Sequence, residues 1–320
     1  MNFLSLFERE KHPIKFLFAY EKVMAFYLIA TLLLVLFMYT ALRNPAAMLE
    51  TRLQIAVITL ALWGIYRVYP CAITRLLRAV GQCALLSLWY PDTYEINSAF
   101  PNLDHIFAEW EQDMFGFQPA LVFAKNFSYA WFSELMHLGY SSYYPMIGVV
   151  GAYYFFLKRK NFDKALFIIL TSFFIYYVIF IILPVTGPQY YYLAVGEDVI
   201  SAGHFPDVKD YFLTHSERMT TPGWSEGFFY GLVEHAHEAG ERPTAAFPSS
   251  HVGITTILML LAWQTRSRKF FYFLLPFFIL MFFATVYIKA HYAVDAIAGL
   301  LSGVAIYFVL LAISTQIKLK

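Results

Sequence analysis

Two histidines and one aspartate at the edges of long apolar segments are the residues of this chain best suited to chemistry. His251 ends the Phe-Pro-Ser-Ser-His segment 247–251, and Asp295 follows His291 by four residues. Residues four apart on a helix share a face and can touch. Because ionisable groups at membrane depth are costly, a functional site is their first explanation. Two imidazoles and a carboxylate suit attack on a phosphorus centre, with one histidine as nucleophile and the other as the acid that releases the leaving group.

The surroundings of each histidine fit these roles. We expect Ser249 or Ser250 to cap a helix whose first turn carries His251. The free amides and the positive end of such a helix form an anion site, which would place His251 beside a bound phosphate. We expect Asp295 to accept a hydrogen bond from one ring nitrogen of His291, leaving the other nitrogen unprotonated and free to attack.

Several other polar residues could have either a structural role or a role in catalysis or binding. Ser250 could act as a nucleophile, although no nucleophile-elbow pattern surrounds it. The Glu-His-Ala-His-Glu tract 234–238 has metal-binding residue types, but we expect a solvated loop. We expect Glu134 and His137 to form a structural hydrogen-bond pair, with contact to a lipid head group as the alternative. The three tyrosines 190–192 are expected to anchor the chain at the membrane interface or to line a substrate pocket.

The composition is that of a membrane protein. Of the 320 residues 59% are hydrophobic and 14% are charged, and the mean hydropathy is +0.55. That is too apolar for an ordinary soluble domain of this length. The net charge of +1 gives no indication of nucleic-acid binding. The two cysteines, Cys71 and Cys83, would stand about 18 Å apart on one helix, too far for a disulfide. We expect them to be buried apolar residues.

Eight apolar segments approach the length of about 20 residues that crosses a bilayer as a helix. They are Val23–Leu42, Leu53–Tyr69, Ala72–Tyr90, Gly139–Leu157, Lys164–Pro184, Ser250–Gln264, Phe270–Ile288 and Tyr292–Ser314. The predicted fold is therefore an all-α, polytopic transmembrane helical bundle with about eight spans. The third segment carries Arg75 and Arg78, which would have to snorkel to the near interface. Without it, seven spans would move the N-terminus outside.

Charge predicts the orientation of the bundle, because short loops rich in Lys and Arg stay in the cytoplasm. Most of the 23 basic residues fall on one side if both termini are cytoplasmic, and the two histidines then meet at the extracytoplasmic face. The predicted organisation has N-terminal transmembrane helices in 1–91, an extracytoplasmic amphipathic segment in 92–138 and a catalytic transmembrane core in 139–320. The long loop 185–249 of that core lies outside.

Segment 92–138 contains apolar residues at helical spacing with acidic residues between them. This pattern predicts an amphipathic helix lying on the membrane surface. The expected apolar face consists of Leu103, Ile106, Phe107, Trp110 and Met114.

Pro-Ser-Ser-His at 248–251 and His-Tyr-Ala-Val-Asp at 291–295 resemble the second and third signature motifs of the type 2 phosphatidic acid phosphatase superfamily. Within it the sequence is most similar to inositol phosphorylceramide synthases, which share a Gly-Pro-aromatic first motif, here Gly-Pro-Gln-Tyr at 187–190. The resemblance is strong over 187–299 and weaker over 139–184. It implies a six-helix core.

The resemblance also implies a double displacement without metal or cofactor. His291 would attack the lipid phosphorus and form a phosphohistidine, Asp295 would orient His291 and stabilise its imidazolium, and His251 would act as acid and then as base. Membrane lipids would be both donor and acceptor. The residues expected to bind substrate are Gly187, Pro188, Gln189, Tyr190, Ser249, Ser250, Lys289 and Arg242.

Departures from the superfamily pattern bear on the substrate. Its phosphatases usually carry a Lys and an Arg in the first motif and a Ser-Arg pair before the third. Here the first motif has no basic residue, and Ala284 and Thr285 stand in place of that pair. A phosphomonoester carries about 1.5 to 2 negative charges at pH 7 and calls for several cations. The loss of basic ligands therefore favours a phosphodiester, with Lys289 and Arg242 supplying some positive charge.

Three functions remain open at this point. The first is a lipid phosphotransferase that moves a phosphate-containing head group, such as phosphoinositol, from a glycerophospholipid to a ceramide-like lipid. The second is a lipid phosphate phosphatase that uses the same residues with water as acceptor. The third is a non-enzymatic carrier of a lipid or a proton. Neither the head group, the acceptor lipid nor the oligomeric state follows from the sequence.

Overall fold

The structure, a computed structural model, describes residues 3–319. The predicted N-terminal region 1–91 and the predicted core 139–320 each extend beyond these residues, to Met1 and Lys320. Within those residues the chain forms α-helices, three short 3-10 turns and no β-sheet. The first seven helices are α1 Ala19–Phe37, α2 Pro45–Val68, α3 Ala72–Asn97, α4 Asp104–Phe115, α5 Pro119–Asn126, α6 Ala130–Ser141 and α7 Tyr143–Leu157. The next seven are α8 Phe162–Ile182, α9 Pro188–Val195, α10 Glu197–Ser201, α11 Phe228–Gly240, α12 Ser250–Gln264, α13 Arg268–Tyr287 and α14 Ala293–Gln316.

The protein is a polytopic helical membrane bundle. Five of the described helices are long and apolar enough to cross a bilayer: α1, α2, α8 with the turn before it, α13 and α14. All eight predicted spans overlap helices, although Gly139–Leu157 is divided between α6 and α7. The apolar helices α7 and α12 have 15 residues each, which is about 22 Å, less than the roughly 30 Å of a hydrocarbon core. The third predicted span falls on α3, which is outside the set of five.

Carboxylates of neighbouring segments neutralise the arginines of α3, and the expected snorkelling of their side chains to the interface stays a prediction. Arg78 is fully buried and pairs with Glu21 of α1 through two nitrogens. Arg75 pairs with Asp163 at the start of α8. Neutralisation by carboxylates of neighbouring helices stabilises these side chains, because an unpaired charge inside the bundle would cost several kcal/mol.

The close packing of α12 on α14 positions the candidate site. A Cβ on Gly299 would lie 2.4 Å from the carbonyl oxygen of Ser249, and one on Gly303 would lie 2.6 Å from that of Gly253. Any larger residue would push the two helices apart. These glycines therefore allow the start of α12, with His251, to lie against the first turns of α14, with Asp295.

Helix α4 confirms a helix in the amphipathic segment, and its expected position on the membrane surface stays a prediction. Trp110 and Met114 are more than half exposed, whereas Asp104 and Glu111 are fully buried together with Phe107. The reason is that α4 packs against α14 and presents its carboxylates to backbone amides there and in the loop before α9.

Candidate active site

His251 lies in the first turn of α12 as the sequence predicts. Ser249 is the N-cap, and its hydroxyl accepts a hydrogen bond from the amide of Val252 at 3.4 Å. The imidazole stacks on the ring of Tyr140, with centroids 4.7 Å apart, and also contacts Tyr143 at 4.4 Å. Two aromatic neighbours and a capped helix start thus hold this ring in one place.

His291 lies in the connection between α13 and α14 and is buried. Its Nδ1 is 2.8 Å from the carbonyl oxygen of Ala246. Since a carbonyl only accepts, Nδ1 carries the proton and Nε2 keeps its lone pair. Nε2 lies 3.4 Å from Nδ1 of His251, and the ring centroids are 5.6 Å apart. The two predicted histidines are therefore in contact, with the unprotonated nitrogen of His291 facing His251.

The environment of His291 keeps its imidazole neutral. Burial lowers the pKa of His291 to about 4, and the hydrogen bond to Ala246 and the charge of Glu241 oppose this shift without cancelling it. A neutral imidazole is the nucleophilic form, so at pH 7 His291 does not need to lose a proton before it can attack.

Asp295 does not make the hydrogen bond that the sequence led us to expect. Its Oδ2 lies 3.7 Å from Nδ1 of His291, beyond hydrogen-bond distance, and accepts the amide of Tyr292 at 2.8 Å instead. The backbone carbonyl of Asp295 accepts the amide of Ser249 at 3.0 Å. Asp295 thus caps α14, joins it to the start of α12 and places a carboxylate behind His291.

Asp104 is a site residue that sequence reasoning missed. Its carboxylate accepts the amides of Thr186 at 2.7 Å and Gly187 at 2.8 Å, and the hydroxyl of Tyr292 at 3.1 Å. It therefore joins the predicted first motif to the third. Burial raises the pKa of Asp104, and its hydrogen bonds counter the shift. An acidic residue in the first turn of an amphipathic helix is ordinary, so no local signal marks it.

The first motif forms the start of α9 and is tied to the third. Gly187 has a φ of +95°, and a Cβ there would meet the carbonyl oxygen of Ala290 at 2.6 Å. The amide of Gln189 donates to the carbonyl of Lys289 at 2.9 Å. Pro188 is the first residue of α9, and Tyr190 is buried. The motif is thus held beside the histidine connection by its backbone.

The expected cationic ligands are engaged elsewhere or exposed. Nζ of Lys289 lies 2.7 Å from Oε1 of Glu197. Arg242 is exposed, in the segment that leads to Ala246. Ser250 is half-buried as the first residue of α12. Within residues 3–319 no hydrogen bond or ion pair joins Lys289 to either histidine, so its expected role at the phosphate stays a prediction.

The Glu-His-Ala-His-Glu tract is not a solvated loop, contrary to our expectation. It lies in α11, where His237 is buried and Glu234 binds Arg218 at 2.9 Å. His235 and Glu238 are exposed on the other face. Helical periodicity, which the short tract alone does not reveal, separates the two histidines. Within residues 3–319 no group of three or more His, Cys, Asp or Glu side chains is arranged to hold a metal ion.

Two further expectations also change. The tyrosines 190–192 are all buried rather than interfacial, and Tyr192 donates to Gln118 at 2.7 Å. Glu134 and His137 do not bond to each other. Glu134 accepts two backbone amides at the start of α11, and His137 bonds the carbonyl of Ser133 at 2.6 Å. Both residues position α11 against α6.

The two histidines are in contact inside a helical membrane bundle, one at the start of α12 and the other just before α14. This arrangement is suited to an enzyme that works within the membrane. The chain matches the family model of the PAP2 superfamily over residues 105–309, which is more than half of its length, and it belongs to that superfamily. Its members are generally phosphoryl-transfer enzymes. The match includes both histidines and Asp295, and it begins at residue 105, one residue after Asp104. No curated protein and no solved structure matches the chain.

Proposed function

We propose that this protein is a lipid phosphotransferase that moves a phosphate-containing head group, with phosphoinositol as the leading candidate, from a glycerophospholipid to a ceramide-like lipid. The single observation that carries the proposal is the 3.4 Å contact between Nε2 of His291 and Nδ1 of His251. It places a nucleophile with a free lone pair opposite a second imidazole that can transfer a proton. The likeness to inositol phosphorylceramide synthases suggests the two lipids.

In the first step a phosphodiester enters between the two rings and replaces their contact. Nε2 of His291 attacks phosphorus, and the bond from phosphorus to the glycerolipid oxygen breaks. His251, which becomes protonated once the phosphodiester anion lies beside it, gives its proton to that oxygen, so diacylglycerol leaves as a neutral alcohol. His291 then carries the phosphorylated head group as a phosphohistidine, with Nδ1 still donating to Ala246.

In the second step the acceptor hydroxyl gives its proton to His251, which is now neutral. The hydroxyl oxygen attacks phosphorus, and the bond from phosphorus to Nε2 of His291 breaks. The head group is transferred and both histidines return to their first state. The carboxylate of Asp295, 3.7 Å from Nδ1, stabilises the positive charge that the His291 ring carries in between.

The charges near the site support a phosphodiester rather than a phosphomonoester. Lys289 is paired with Glu197, and Arg218 is paired with Glu234. Cations that are already neutralised suit a substrate with about one negative charge better than one with about two. The lack of a basic residue in the first motif likewise favours a phosphodiester substrate.

We also propose that the site opens on the extracytoplasmic side, with both termini in the cytoplasm. His251 begins α12, and the basic residues Arg266, Arg268 and Lys269 follow its end, at the opposite side of the bundle. The positive-inside rule assigns that basic end to the cytoplasm.

Purified protein in lipid nanodiscs tests the proposal when it is given head-group-labelled phosphatidylinositol with and without ceramide. We expect label in a ceramide product, acid-labile label on the wild-type protein when ceramide is omitted, and neither with His291→Ala. His251→Ala should lower both steps strongly. Release of inorganic phosphate from phosphatidic acid without head-group transfer would show the phosphatase instead. Full turnover by His291→Ala would exclude the proposed nucleophile.

A further inference from the structure

A second polar cluster, formed by Gln189, His237 and Glu241, lies beside the histidine pair. Nε2 of Gln189 donates to Oε1 of Glu241 at 2.6 Å. Oε2 of Glu241 lies 3.1 Å from Nε2 of His237, but the two are too poorly aligned for a hydrogen bond. The three side chains come from α9, α11 and the residue after α11, and they form one continuous group.

The cluster adjoins the reacting atoms on two sides. The ring of Tyr140 contacts both His237 and His251, with centroids 5.7 and 4.7 Å away. Glu241 is close enough to His291 for its charge to act on that imidazole. The cluster therefore borders the place where the two catalytic histidines would hold phosphorus.

The cluster has unused hydrogen-bonding capacity in a buried place. Oε1 of Gln189, both ring nitrogens of His237 and Oε2 of Glu241 have no hydrogen-bond partner within the described chain. Gln189 is 2% exposed and His237 is 6% exposed. A buried polar atom without a partner costs about 1–3 kcal/mol. Oε1 of Gln189 and Nδ1 of His237 have no hydrogen bond, and Nε2 of His237 and Oε2 of Glu241 face each other at 3.1 Å without a well-aligned one, so the group is suited to a bound polar molecule.

We propose that Gln189, His237 and Glu241 bind a neutral, hydroxyl-bearing head group of the donor lipid while its phosphate is held between His251 and His291. This inference rests on the proposed function and extends it, because the phosphorylated head group stays at the site through both displacement steps. Gln189 was expected at the substrate, whereas the roles of His237 and Glu241 come from the structure.

The chemistry of the cluster favours hydroxyl groups over charged ones. A hydroxyl both donates and accepts, and the cluster offers acceptors in Gln189 and Glu241 and either function in the His237 ring. An anionic head group would be repelled by the charge of Glu241. An ammonium head group only donates hydrogen bonds, so it would leave the N–H of the neutral His237 ring without an acceptor.

Two donors with the same phosphodiester charge and the same acyl chains test the proposal. Phosphatidylinositol carries several hydroxyls, whereas phosphatidylmethanol carries none. The quantity measured is the ratio of kcat/KM for transfer to ceramide from the two donors. We expect wild-type protein to prefer phosphatidylinositol. We expect Gln189→Leu, His237→Ala and Glu241→Gln each to lower that ratio about 3- to 10-fold, the value of one hydrogen bond.

Exposed residues of α11 provide matched controls. His235→Ala and Glu238→Gln should leave the ratio at the wild-type value, and turnover of phosphatidylmethanol reports that each variant is folded. An unchanged ratio in all three cluster variants, or a wild-type preference for phosphatidylethanolamine, would overturn the proposal. Equal use of both donors by the wild type would overturn it too while leaving transferase activity intact. Absence of any transfer would instead refute the proposed function.

Discussion

The main-chain carbonyl of Ala246 lies 2.8 Å from Nδ1 of His291, in the position that the sequence assigned to the carboxylate of Asp295. The imidazole is oriented by the backbone of the segment that leads into α12. The carboxylate of Asp295 lies 3.7 Å from Nδ1 of His291, where it provides a negative charge. It also accepts the amide of Tyr292 at 2.8 Å, which caps α14. These two roles can be separated by substitution.

Asp295→Asn should keep the cap and lose the charge. The amide oxygen of asparagine still accepts the amide of Tyr292, so Tm should stay near the wild-type value. The imidazolium of His291 loses its counter-charge, and we expect kcat to fall about 100-fold, which corresponds to roughly 2.7 kcal/mol. Asp295→Ala should also lower Tm, because the cap is lost. Undiminished kcat in Asp295→Asn would show that the carboxylate charge plays no part.

Asp104→Asn should weaken the link between the first and third motifs. Its carboxylate accepts two backbone amides and the hydroxyl of Tyr292, and an amide oxygen cannot replace all of these acceptors. We expect a loss of about 2–3 kcal/mol of stability and at least a tenfold fall in kcat. Asp113→Asn, an exposed change on the same helix, is the control. Equal behaviour of the two variants in thermal unfolding and turnover would contradict the role given to Asp104.

The acid limb of activity should lie far below that of an ordinary histidine. Burial lowers the pKa of His291 to about 4, so the nucleophile stays neutral as pH falls from 7 to 5. We expect kcat/KM for head-group transfer to show no loss from protonation of His291 above pH 5 and to fall about tenfold per unit below about pH 4. The measurement is a pH profile with protein stability checked at each point. An acid limb centred near pH 6.5 would mean that His291 is hydrated in the working enzyme.

Glu111 should make the protein less stable as pH rises. Burial, with the charge of Asp295 as the next cause, raises the pKa of Glu111 to about 8. Between the ordinary pKa of about 4.3 and about 8, the unfolded chain has lost this proton while the folded chain keeps it, so stability falls by about 1.4 kcal/mol per pH unit. Glu111→Gln should remove this dependence and raise Tm at pH 7.5. Glu109→Gln, exposed on the same helix, should not. The measurement is Tm of the wild type and of both variants from pH 5 to 8. Equal pH dependence of Tm in Glu111→Gln and the wild type would contradict the role given to Glu111.

Asn97 should act on the site from the helix that precedes the family match. Its side-chain amide donates to the hydroxyl of Thr244 and to the carbonyl of Phe180. Thr244 stands two residues before Ala246, whose carbonyl orients His291. We expect Asn97→Ala to lower kcat about 3- to 10-fold with little change in KM. Ser98→Ala, whose hydroxyl bonds only within α3, is the control. A fall in Tm with unchanged kcat would make the contact purely structural.

The sequence predicted what depends on local pattern. The apolar segments predicted helices at eight positions along the chain. The two histidine motifs predicted the imidazoles whose nitrogens, Nε2 of His291 and Nδ1 of His251, lie 3.4 Å apart in the fold. The expected bond from Asp295 to His291 failed because α14 begins at Ala293. His291 lies before the helix, so the i, i+4 relationship does not apply to it.

Other parts of the site depend on contacts between distant segments. Asp104 meets the first motif 82 residues later, and Gln189 meets Glu241 52 residues later. Nothing in either neighbourhood distinguishes a buried carboxylate from a solvated one. Burial of His237 beside exposed His235 likewise becomes visible only once α11 has a partner on one face.

The ion pairs of Arg75 and Arg78 bear on how the chain is assembled during synthesis. Glu21 is made before Arg78, whereas Asp163 follows Arg75 by 88 residues. A lone arginine costs up to about 2.5–3.5 kcal/mol, the value for the centre of an inserting helix, and Arg75 and Arg78 lie in the first two turns of α3. We therefore expect newly synthesised α3 to insert into the membrane less readily when its carboxylate partners are absent. Its stable placement waits first for α1 and then for α8, which makes biogenesis of the N-terminal helices and of the catalytic core a single coupled event.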